Sequence, residues 1–178
     1  MPPMALLAEG ILKLHWDQSI PVNVAHIVRQ MGVRLQLQPD LPASAVLSIA
    51  TDNQAHIALQ SSLPSVHQRY VVAHALAHVA LHHLRPGMTQ PIHISTDFRL
   101  DFGLRHMAEA NDFALRLLLP EVALRYAVQT MQARNWEELA HAFAVPTLFI
   151  KQRMADVQLD LPRATPPHLR GFTIDLEP

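Results

Sequence analysis

Residues 69–83 read RYVVAHALAHVALHH. Valine, alanine and leucine fill nearly every position, while two histidines, His74 and His78, stand four residues apart. Four residues are about one helical turn, so both imidazoles fall on one face of a helix. Two imidazoles so placed can bind one zinc ion, although in a histidine-rich chain the spacing alone is weak evidence. The segment is bounded by Ser61–Pro64 before it and by the breaker Pro86–Gly87 after it. A long apolar helix over about 65–85 is therefore expected.

Before this helix, residues 4–16 and 21–31 carry helical spacing, the second opening on Pro21 and closing at Gly32. VRLQLQ at 33–38 alternates like a strand, and the runs 45–50 and 55–59 flank Thr51–Gln54 as a hairpin lacking glycine. After the helix, 86–103 reads as irregular. Helices are then expected over 104–119, 121–132, 135–144 and from Pro146. Asn135 and Glu138 have the spacing of a capping box. Early strands followed by helices predict an α+β fold, with a small twisted antiparallel or mixed sheet packed on a helical bundle. One domain over 1–158 and a tail over 159–178 are expected.

The composition narrows the chemistry. There are 178 residues, 12 of them histidine and none cysteine. Disulfides and thiolate ligands are excluded, so a transition metal would need His, Asp or Glu. A net charge of -1 gives no basic field for phosphate backbones, so direct nucleic-acid binding is not expected. No apolar run approaches a membrane span of about 20 residues, and Glu9 and Lys13 interrupt the N-terminal apolar stretch, unlike a signal peptide. A cytoplasmic protein is expected.

HMAEANDFALRLLLP, residues 106–120, brings a candidate third ligand. Glu109 sits among Met107, Ala108, Ala110, Phe113 and Ala114, and a carboxylate on such a face needs a partner. Two histidines, one glutamate and a water make a common catalytic zinc shell.

Together these stretches resemble the ImmA/IrrE metallopeptidases. VVAHALAHVALHH is similar to the family's FTLAHELGHLLLH, and MAEANDFALRLLLP to its EAEANRFAAELLMP. IALQSSLPSVHQRY, PVNVAHIVRQMGVRLQ and EELAHAFAVPTLFIKQRM resemble the flanking elements in the right order, so the likeness covers about residues 18–155. The resemblance implies a zincin-like HxxxH helix, Zn2+ held by His74, His78 and Glu109, and endopeptidase activity. It also implies a protein partner: a DNA-binding repressor or other regulator encoded nearby.

The chain departs from the family at one position. Where the motif has its general-base glutamate, this chain has Ala75. A methyl group cannot take a proton from a zinc-bound water or return it to the leaving amine. General acid–base help is worth about 10²–10⁴-fold, so peptide hydrolysis is expected to be crippled. With all three ligand positions retained, an engineered replacement is favoured over the alternative, a natural pseudoprotease that binds and sequesters its partner.

Other residues receive candidate roles. Asp112 could accept the outer N–H of a ligating histidine. His106 and Tyr126 could each hydrogen-bond a developing oxyanion. Arg69 matches an arginine of the family lead-in and could position substrate or hold a structural carboxylate; Arg153 is read the same way. His82 is expected on the His74–His78 face as a packing or outer partner, and His83 toward solvent.

Overall fold

The computed structural model describes residues 3–50, 52–84, 90–95, 105–131 and 133–161. Its order is α1 (Pro3–His15), α2 (Val24–Gln30), β1 (Arg34–Gln38), β2 (Ala45–Ile49), β3 (Ala55–Gln60), α3 (Ser65–Ala80), β4 (Ile92–Ile94), α4 (Arg105–Leu118), α5 (Glu121–Gln129), α6 (Trp136–Phe143) and α7 (Thr147–Asp156). Helices on a mixed four-stranded sheet make the expected α+β fold.

Local chemistry sets most boundaries. Asn23 caps α2 by accepting from the His26 amide at 3.1 Å, and Gly32, at φ +72°, takes the chain out of that helix. Asn53 supplies the left-handed residue of the β2–β3 turn, which is why the hairpin closes without glycine. Pro120 and Pro146 each stand immediately before a helix, α5 and α7.

The sheet runs β1-β3-β2-β4. β3 is parallel to β1 and antiparallel to β2, and β2 is antiparallel to β4. Ala45 and Leu47 of β2 and Ile57 and Leu59 of β3 are buried, building the covered face. On that face lies α3, which also packs against α2 and α4. Nine consecutive residues, Tyr70–His78, are buried, so α3 is enclosed on all sides. That explains a sequence apolar around the whole helix instead of along one stripe.

Three expectations are corrected. The central helix ends at Ala80 instead of about 85: His82 adopts φ +55° and the His83 amide returns to the His78 carbonyl at 2.9 Å. This is a left-handed stop that a non-glycine sequence does not advertise. Within 86–103, expected to be irregular, residues 92–94 form β4, an edge strand too short for a periodic signal. Helix α5 stops at Gln129, short of 132. At the expected domain boundary, Leu159 and Leu161 still pack on the core, and the rest of the tail, 162–178, lies outside the described residues.

Candidate metal centre

Helix α3 presents His74 and His78 one turn apart, and each is only 2% exposed. Their Nε2 atoms stand 3.1 Å from one another. Burial pushes the pKa of His74 down to about 4, and burial followed by its histidine neighbours pushes His78 down to about 3. Both rings are therefore neutral near pH 7, with lone pairs to share. With Zn–N bonds of about 2.0–2.1 Å and tetrahedral angles, two ligand nitrogens lie about 3.3 Å apart. The pair fits that spacing.

The outer side of each ring has a distinct neighbour. Asn111, buried on α4, lies beside His74 and partly offsets its burial penalty. The Asn111 side-chain oxygen accepts from the Tyr70 hydroxyl, while His74 Nδ1 is buried with no hydrogen-bond partner among the described residues. His78 Nδ1 lies 3.0 Å from His83 Nδ1, and His83 Nε2 lies 3.3 Å from Glu109 Oε2. Glu109 Oε1 accepts from Arg105 Nε at 2.8 Å, and that arginine above all holds the carboxyl below its usual range.

The structure brings together only part of the expected ligand set. Glu109 is on the helix facing α3, but its carboxylate is held by His83 and Arg105 and does not meet the imidazole pair. Among the described residues no three His, Asp or Glu groups are arranged to hold an ion. The early end of α3 is the cause: the chain turns back and sets His83 between His78 and Glu109.

The remaining candidates separate. His83, expected toward solvent, is 14% exposed and touches both elements of the site, whereas His82 is off the helix and exposed. The exposed His106 ring reaches only the rim, with its centroid 5.5 Å from that of His83. Asp112 pairs with Arg116 one turn on at 2.8 Å, and Asn111 takes the place beside His74 instead. Arg69 donates to the Val22 carbonyl at 2.8 Å, which makes it a tie between α3 and the α2 lead-in. Arg153 similarly reaches the Leu119 carbonyl at the end of α4. Tyr126 lines a separate groove of about 1010 Å³ with Trp16, Ile20, Arg125 and Arg153. Ala75 is wholly buried in the core. Asn111 was the legible omission: it lies three or four residues from Met107 and Ala114, on a largely apolar stripe of α4.

A family model described as the IrrE N-terminal-like domain, of the M78 peptidases, matches residues 28–155. The chain belongs to this family. The match runs from α2 to α7 and so includes both helices of the site. The M78 peptidases are, as a family, zinc metallopeptidases. Among solved structures, a Mycobacterium tuberculosis transcriptional regulator is similar at a TM-score of 0.61 and 20% identity, over 96% of this chain and 50% of that one. At that identity the likeness shows the fold, and the IrrE-like chain spans about half the length of that protein. No curated protein matches it.

Proposed function

We propose that this IrrE-like domain holds Zn2+ through His74 and His78, with Glu109 as third ligand, and engages a regulatory protein that it cannot cut efficiently. The observation that carries the reading is the buried pair of neutral imidazoles with Nε2 atoms 3.1 Å apart. Zinc bound there would polarise a scissile carbonyl and acidify its water. The chain's own residues supply the rest. Burial keeps His74 and His78 unprotonated. To serve as third ligand Glu109 would leave its present partners, the highly exposed Arg105 and His83, for the cation. β4 ends the sheet, and its outer edge would take an extended peptide as an added strand. Ala75 offers no atom to accept the water proton, which removes about 10²–10⁴-fold in rate.

The partner is inferred from the family resemblance: a DNA-binding repressor or similar regulator, met in the cytoplasm. The likeness to a protein called a transcriptional regulator is in keeping with that setting.

Two measurements test the proposal. Tag-free protein dialysed against Zn2+ is expected to retain about one equivalent, and His74→Ala with His78→Ala to retain none; less than a tenth of an equivalent in the parent overturns the site. Zinc-loaded Ala75→Glu, given the helix-turn-helix regulator of an adjacent reading frame, is expected to cleave it. If that variant holds zinc and binds the regulator yet leaves it intact, the peptidase reading fails and a sequestering pseudoprotease replaces it.

A further inference from the structure

We infer that the groove between α1 and α5 binds a free carboxylic acid with an apolar body, the carboxylate on the Arg153 guanidinium and the body against Trp16, Val122 and Tyr126. The groove shares no lining residue with the metal centre, so the inference stands apart from the zinc reading. Its volume of about 1010 Å³ lies at the upper end of small-molecule sites, about 300–1,000 Å³.

Charge decides the head of the ligand. Arg153, on α7, lines this groove and is only 4% exposed. Its Nε donates to the Leu119 carbonyl at 3.2 Å, which leaves the N–H donors of both Nη atoms with no protein acceptor among the described residues. Among those residues no carboxylate forms an ion pair with it either. Two carboxylates of its surroundings are already taken: Asp112 is held by Arg116 and Glu121 by Arg125, each at 2.8 Å. Burial above all, and then Arg116, works against the charge on Arg153, while Asp156, Asp112 and Glu121 favour it without touching it. A guanidinium enclosed in this way gains from a carboxylate, whose two oxygens match its planar fork. Across the whole groove four cations, Lys13, Arg116, Arg125 and Arg153, face two carboxylates, Glu9 and Glu121.

The walls decide the rest of the ligand. Val122 and Tyr126 stand one turn apart on the outer face of α5, 64% and 51% exposed, while the opposite face of that helix buries Leu124 and Val128. Trp16, just past α1, spends its indole N–H on the Ser19 carbonyl at 3.0 Å, so what its ring has left to offer is apolar surface. Two aromatic rings and a branched side chain beside one buried cation suit an acid whose far end is aromatic or aliphatic. Inorganic phosphate or a sugar would leave these walls facing water.

Titration of the full chain with naphthaleneacetate, and with the uncharged naphthaleneacetamide, tests the site by indole ¹H–¹⁵N NMR. The chain has two tryptophans, and only Trp16 lines the groove. The acid is expected to bind saturably and to shift the Trp16 signal while leaving that of Trp136 in place, and the amide to bind about tenfold more weakly. In Arg153→Gln the preference for the acid is expected to vanish. Should thermal melts show Arg153→Gln unfolded, Tyr126→Asp, at an exposed position, takes its place: the added carboxylate is expected to weaken the acid more than the amide. Equal binding of acid and amide to the parent, a preference for the acid that survives Arg153→Gln, or equal weakening of both in Tyr126→Asp overturns the inference. So does a titration with the acid that does not saturate at millimolar concentration. If the peptide acetyl-Phe-Asp-Leu-amide saturates the groove and the acid does not, a protein segment is the occupant and the free acid is ruled out.

Discussion

His74 and His78 show how a residue's surroundings can matter more than its identity. An imidazole in water is half protonated at pH 6.5; these two, enclosed on α3, stay neutral far below that. The sign of the consequence follows from proton counting. Between about pH 6.5 and about 4 the unfolded chain binds protons at these rings that the metal-free folded chain does not. Stability rises with pH wherever the unfolded state binds more protons. Urea denaturation of the metal-free protein is therefore expected to show stability falling as pH drops from 6.5 toward 4, and the fall should shrink in a His74→Gln, His78→Gln variant. An unchanged slope in that variant would mean other groups drive the acid loss. The pair itself was legible from spacing and apolar context. His83 was not, because its place depends on where α3 ends. Asp112, expected to accept the outer N–H of a ligating histidine, instead pairs with Arg116, and the uncharged Asn111 lies beside the buried His74 ring.

Elements were easiest to read where a side chain closes the end of a helix. Asn135 accepts from the Glu138 amide at 2.8 Å, as the spacing predicted. Glu138 does not reach back to Asn135's own amide; its Oε2 takes the Arg134 amide and its Oε1 the Asn135 side-chain nitrogen. Removing such a cap typically costs about 1 kcal/mol. Asn135→Ala is expected to lower the midpoint of thermal unfolding by about 2–4 °C, read by circular dichroism. No shift would mean that α6 is held by packing alone, through Leu139 and Phe143. The end of α3 was misread for the opposite reason: Pro86–Gly87 was the visible breaker, while the operative one is a histidine in a left-handed conformation. Strand β4 escaped because three residues carry too little alternation to stand out, and only pairing with β2 defines it.

At the scale of the whole molecule, the α+β class follows from element order alone, but the order of strands in the sheet does not. Local sequence predicted the β2–β3 hairpin; nothing in it says that β1 lies parallel on the far side of β3 or that β4 closes the other edge. That arrangement has a kinetic meaning. The hairpin and α3 occupy one unbroken stretch of chain, 45–80, and pack on each other. Helix α1, by contrast, packs against α4, some ninety residues downstream. Closing a longer loop costs more entropy, so contacts within 45–80 are the least costly to make first. Ile57→Val in β3 is accordingly expected to slow refolding, and Ile11→Val in α1 chiefly to hasten unfolding, in stopped-flow chevrons. The reverse pattern would put the nucleus at the chain's beginning. On this order of events the helix bearing His74 and His78 is in place before the one bearing Asn111 arrives, and the later helix sets that amide beside a ring already waiting for it.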